Sequence, residues 1–366
     1  MSDRILRRRE SGFTRRDFNT MLAALLASQA IPGWAQAPKS ASGVQRIDVH
    51  HHILPPVYVD TMTAEAIGAP APNRATPNWQ VSDALEVMDR QGVTSAVVSV
   101  SAPGVLLTDP TQTRKLARAV NDFGAQMVAD HPARFGTFSS LPLPDIAAAL
   151  EEIEYAFDTL KADGIIMMTN YGDKYLGDPD FEPVFEELNR RNAVVYVHPT
   201  SCNCTAGLLP KLPDSLIEFP HDSTRAINNL MFSGTFSRYP NIRFIFSHAG
   251  GTVPYLATRM AIIGSLDKDL AQSVPEGVMP TLKKLYYDTA GSANPISFAA
   301  LFKFVTPKNV VLGTDFPFIP EPGMKATLEG IQQSGLSEAD IRAIEGENAA
   351  VLFPRIAATG ARLTAL

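Results

Sequence analysis

Eight short apolar runs, each followed by a longer helical pattern, predict an α/β protein whose fold is a (β/α)8 TIM barrel. Three observations carry this. The runs are near-continuously apolar, as parallel strands covered on both faces require. Strand and helix alternate eight times after residue 44. No Gly-rich phosphate loop follows the first run, which weakens the rival doubly wound open sheet; Asp48-Val49-His50-His51-His52 stands there instead.

The strand candidates are residues 47–49, 96–100, 135–138, 165–168, 194–197, 242–246, 285–287 and 310–312. Between them lie periodic apolar stripes that begin at side chains able to accept from free helix N–H groups. Ser82 starts one that runs through Met88 to Arg90, and Thr111 or Thr113 starts one through Leu116 and Phe123. Asp145 starts another with Ile146, Leu150, Ile153 and Phe157 on one face. Asp180 precedes one carrying Val184 and Leu188. Asp222 or Ser223 precedes one carrying Ile227, Leu230 and Phe236. Pro-rich residues 69–78 read as a long loop after the first strand, part of a lid.

The chain has 366 residues, 45% hydrophobic and 19% charged, ordinary for a globular protein with a large core. Its net charge of −6 offers no electrostatic footprint for nucleic acid. The charge is uneven. Residues 1–37 carry six Arg against Asp3, Glu10 and Asp17, a net of +3 that leaves −9 on the rest. This segment runs from a basic stretch through Thr14-Arg15-Arg16-Asp17-Phe18 to an apolar core, Met21 to Ala27, and then to Ala35-Gln36-Ala37. That order reads as a secretory signal, and the paired arginines before Phe18 resemble a twin-arginine signal that directs export to the periplasm; the alternative is a basic amphipathic tail on a cytoplasmic protein. Residues 38–366 are then a single barrel domain. The apolar core is too short for a stable membrane span, which needs ~20 residues. Cys202 and Cys204, one residue apart, read as two free thiols, because a bond across so short a span is strained.

The histidines fall at strand ends. His50 and His52 close the first strand, His198 the fifth and His248 the sixth; Asp315 closes the eighth. In a barrel these ends converge on the face where sites form. His50 and His52 are two apart and share a side, while His51 points away and is no ligand. Imidazoles with a carboxylate make a site for one divalent first-row cation at the C-terminal ends of the strands, zinc first and manganese second. His131 fits a structural role at a helix end, and His221 in a loop is left undecided.

The segment Ile47-Asp48-Val49-His50-His51-His52-Ile53-Leu54-Pro55 resembles the opening of the amidohydrolase superfamily. Val197-His198-Pro199, Ser247-His248-Ala249-Gly250-Gly251 and Leu312-Gly313-Thr314-Asp315-Phe316-Pro317 continue the match across about residues 45–355. More narrowly it is similar to the amidohydrolase-related branch that holds decarboxylases of the 2-amino-3-carboxymuconate-6-semialdehyde and 6-methylsalicylate types. The resemblance implies that His50, His52, His198 and Asp315 bind the metal, with His248 as acid/base residue and Asp315 a second catalytic group. It implies one metal, since no Lys stands at 165–169. It implies that Arg259 pairs with a substrate carboxylate, with Arg74 a second candidate clamp. Phe219 and Trp79 are candidate walls for an aromatic ring, and Arg225 and Asp222 candidate contacts. It further implies a homodimer. The expected activity is nonoxidative decarboxylation of a small aromatic or enoic carboxylic acid. The alternative is a metal-dependent hydrolase of a lactone, amide or ester; a non-catalytic barrel is the third reading.

Overall fold

A computed structural model describes residues 45–62, 67, 78–205, 208–209 and 211–363. The signal-like segment 1–37, Arg74 and most of the Pro-rich loop lie outside the described residues. Eight strands form one sheet in chain order: β1 (Ile47–His52), β2 (Ser95–Ser99), β3 (Phe135–Ser140), β4 (Gly164–Met168), β5 (Val194–His198), β6 (Arg243–Phe246), β7 (Tyr286–Asp288) and β8 (Val310–Val311). Every neighbouring pair is parallel. The ends also meet: Val49 N–H donates to Leu312 O at 2.8 Å and Asp315 N–H to His50 O at 2.7 Å. A helix follows each strand: α1 (Val81–Gln91), α2 (Pro110–Asp130), α3 (Ile146–Glu154), α4 (Glu182–Arg190), α5 (Asp214–Phe232), α6 (Val253–Leu266), α7 (Pro295–Leu301) and α8 (Glu321–Gln332). The chain is therefore a (β/α)8 barrel, as the alternation predicts. No helix among the described residues is long and apolar enough to cross a membrane.

Seven of the strands match expectation to within two residues and β1 runs three residues longer, to His52, because burial on both faces demands the apolar runs that mark them. Helix starts are less regular. Asp145 caps α3 as expected, accepting from Ala148 N–H at 3.2 Å. Gln80, not Ser82, is the N-cap of α1, and its own N–H is taken by Asp83 at 2.8 Å. Asp109, not a threonine, caps α2 by accepting from Thr111 N–H at 2.8 Å. Asp178, not Asp180, accepts at the turn before α4. The largest correction is α5. It begins at Asp214 and continues through Pro220, so Asp222 and Ser223 lie inside it. Phe236 falls on a separate short helix, Thr235–Arg238.

Asp222 is not a cap because its carboxylate is used elsewhere. Buried within α5, it accepts from Thr169 Oγ1, from Tyr175 OH and, at 2.9 Å, from Asn170 Nδ2. Thr169 in turn accepts from Thr200 N–H at 3.1 Å. One carboxylate thus ties α5 to the ends of β4 and β5.

The loop after β5 holds a second correction. Cys202 and Cys204 are joined in a disulfide rather than free. Thr205 N–H folds back on Cys202 O at 3.1 Å, and Asn203 Nδ2 reaches Asp173 Oδ1 at 3.1 Å. The resulting turn brings the two Cα atoms to 5.3 Å, inside bonding range.

Candidate metal centre

Strand parity sets the site. On β1, His50 and His52 face the barrel axis. His51 faces away, where Asp48 Oδ2 takes its Nδ1 at 3.0 Å and Phe316 packs on its ring. The ends of β5 and β8 bring in His198 and Asp315. The candidate ligand atoms of His50, His52, His198 and Asp315 lie within 4.8 Å of one another, all four residues buried. Nε2 of His50 and Nε2 of His52 are 3.0 Å apart. Asp315 Oδ1 stands 3.3 Å from the first and 3.1 Å from the second.

The ring nitrogens on the far side are all engaged by oxygen. His50 Nδ1 meets Asp288 Oδ2 at 2.8 Å, His52 Nδ1 meets Ser99 O at 3.2 Å, and His198 Nδ1 meets Pro199 O at 2.8 Å. Each ring can donate outward and turn an Nε2 lone pair to the common centre. Three such nitrogens and a carboxylate fit one divalent cation. Burial holds His52 below its ordinary value and His198 well below, which keeps both in the neutral form a cation requires.

His50 behaves differently. Burial works against its charge, but Asp288 and Asp315 outweigh it and lift the cation-free ring to about 10. At neutral pH a cation must therefore displace a proton. Below that value the proton competes, so affinity is expected to rise about tenfold per pH unit, with about one proton released per cation bound. Calorimetry in two buffers of different ionisation enthalpy measures the release. Affinity unchanged between pH 6 and pH 8 would contradict it.

His248 sits beside the cluster, with Nε2 4.0 Å from Asp315 Oδ2. Its Nδ1 is 3.0 Å from Ala290 O, so that nitrogen donates and Nε2 faces the site. His248, Ala249 and Asp315 all adopt left-handed backbone (φ 52, 56 and 60), strain that concentrates at functional sites.

Phe219 on α5 meets the His198 ring at 6.1 Å, and Phe318 meets the His52 ring at 5.3 Å, both edge-on. Trp79 is instead buried in an apolar cluster with Ile53, Leu54 and Met324. Arg259 is exposed on α6, with no hydrogen bond or ion pair among the described residues. Arg225 pairs with Asp222 at 3.5 Å. His221 is exposed and bonds Ile217 O, and His131 caps α2. Sequence reading missed Asp288, Tyr196 and Phe318. The strand-end rule that found Asp315 applies equally to Asp288, the last residue of β7.

An all-parallel barrel with three histidines and an aspartate converging at the C-terminal strand ends defines the class: barrel proteins that assemble a metal site on that face. The chain belongs to the amidohydrolase family (Amidohydro_2), whose model matches residues 47–355. Decarboxylase macB of Penicillium terrestre is 38% identical over 326 residues, covering 85% of this chain and 96% of that one. The 6-methylsalicylic acid decarboxylase of Penicillium expansum is 36% identical, covering 85% and 97%. The crystal structure of a dihydroxybenzoic acid decarboxylase from Polaromonas, with bound manganese and 2-nitroresorcinol, superimposes with a TM-score of 0.74 at 22% identity, covering 85% and 97%.

Proposed function

We propose that this chain is a metal-dependent nonoxidative decarboxylase of a small hydroxylated aromatic acid, of which 6-methylsalicylate is the first to test. The observation that carries the reading is the buried His50, His52, His198 and Asp315 cluster with His248 at its edge and aromatic rings on two sides. The named activities of the fungal relatives support it.

A divalent cation, when bound by those four residues, supplies positive charge that can hold a carboxylate and an adjacent hydroxyl. The protein's own groups do the rest. Phe219 and Phe318 flank the cluster and offer faces and edges to an aromatic ring. Loss of CO2 from an aryl carbon needs that carbon protonated first. A C–H bond forms at the carboxyl-bearing carbon, the C–C bond then breaks, and its electron pair restores the aromatic ring. The proton comes from His248 Nε2, directly or relayed through the Asp315 carboxylate 4.0 Å away. The anchor on Ala290 keeps the His248 ring aimed.

Zinc is proposed as the cation because nitrogen ligands predominate, with manganese the alternative. Export is part of the same reading: the leader is of twin-arginine type, and a bonded cysteine pair suits an oxidising compartment. Pairing of two copies is proposed as well, supported by the exposed Tyr255, Ile262, Ile263 and Leu266 of α6.

The test loads the purified chain with Zn²⁺ or Mn²⁺ and offers hydroxybenzoates beside aryl lactones and esters. Metal-dependent CO2 release, lost in His248→Ala, is the expected result. A product heavier by one water and no CO2 would overturn it in favour of the hydrolase.

A further inference from the structure

We propose that Asp288 is a positioning residue that sets the tautomer of His50 and, through the same carboxylate, locks His248 to the cation site. The proposal rests on the metal half of the reading above and on no particular substrate.

Asp288 is fully buried and receives four groups. Its Oδ2 is 2.8 Å from His50 Nδ1 and 2.7 Å from Tyr196 OH. Its Oδ1 accepts from the backbone N–H of His248 at 2.8 Å and of Ala290 at 3.0 Å. An ionised carboxylate only accepts, so all four partners donate. When a cation displaces the proton on Nε2, the one that stays on His50 is therefore fixed at Nδ1, and the lone pair is fixed at Nε2, the atom that faces His52 and Asp315. The next residues close the grip on His248: Ala290 O takes its ring Nδ1 while Asp288 holds its backbone. Ring and backbone of the acid/base histidine thus hang on the segment that orients a ligand. The chain leaves room for this pair. A Cβ at Gly313 would lie 2.8 Å from both Asp288 Cγ and His50 Cβ.

The chemistry makes Asp288→Asn a selective lesion. Backbone N–H groups cannot become acceptors, so the amide oxygen must stay on His248 and Ala290. The amide NH2 then faces Tyr196 and His50. The tyrosine hydroxyl can turn to accept. His50 can accept only by moving its proton to Nε2, which removes the lone pair that the cation needs. Second-sphere carboxylates of this kind change metal affinity by about 10–100-fold.

The experiment measures Zn²⁺ affinity of the full chain by competition with a chromophoric chelator, with thermal unfolding alongside. Asp288→Asn is expected to bind about 10–100-fold more weakly. Tyr196→Phe, which removes one donor but leaves the His50 tautomer alone, is expected to stay within about threefold of the parent on the same reasoning. Both variants losing stability while binding Zn²⁺ like the parent would overturn the proposal and leave Asp288 a structural residue. Should Asp288→Asn fail to fold, nitrogen NMR of the parent decides: a proton on Nδ1 of zinc-loaded His50 is expected, and coordination through Nδ1 would overturn it. A parent chain that binds no Zn²⁺ at all would instead sink the metal reading itself.

Discussion

Asp315→Asn is expected to leave a folded barrel whose kcat for CO2 release is lower by about 10²–10⁴-fold, the range for loss of a positioned acid/base or charged group. Asp315 faces both the cluster and His248: Oδ1 meets His50 and His52, and Oδ2 looks toward His248 at 4.0 Å. Burial pushes its carboxyl up. The charge of His50 and hydrogen bonds from His50 and His52 outweigh this and hold it well below the usual carboxylate range. The group is thus an anion throughout the neutral range. Asparagine keeps the shape but removes the charge and one acceptor. Steady-state CO2 release beside metal content separates loss of chemistry from loss of cation. A variant keeping more than about a tenth of parental activity would contradict the role.

Gly251→Ala is expected to cost about 2–5 kcal/mol of stability and about 10²-fold in activity. Gly251 ends the turn that begins at His248, with φ +68, and a Cβ there would lie 2.0 Å from the carbonyl oxygen of Pro220. That contact is backbone and cannot swing aside. The turn and α5 must separate, moving His248 on one side and Phe219, the neighbour of Pro220, on the other. Urea unfolding reads the stability and kcat the misplacement. Parental values for both would show that the two segments have slack.

Much of this site was legible because two simple rules act together. Burial on both faces makes barrel strands apolar, and parity on a strand decides which side chains reach the axis. Parity places His50 and His52, while His198, His248 and Asp315 follow from lying at or just past the C-terminal ends of their strands. What the rules miss is competition for polar side chains. Asp222 looks like a helix start, yet Thr169, Asn170 and Tyr175 claim its oxygens, so α5 begins earlier. Tyr196 reads as core because its ring stacks on Phe138, yet that ring also meets His50 edge-on and its hydroxyl reaches Asp288. Cys202 and Cys204 meet in a loop where Thr205 N–H turns back on Cys202 O and Asn203 reaches Asp173, contacts that spacing alone does not reveal.

The seam between the first and last strands has a kinetic consequence. Asp48 accepts from the backbone and hydroxyl of Thr314, 266 residues away, and the neighbouring His50 and Asp315 meet across the same join. No fragment ending before β8 can hold all four ligands. During folding the cation finds a complete site only after the barrel has closed, so uptake reports the last long-range event rather than an early one. By mass action, free cation at 100 times its dissociation constant would favour the closed chain by about 2.7 kcal/mol. A cell short of the metal would hold fewer closed barrels as well as fewer active ones, and an optical probe of metal uptake would time ring closure directly.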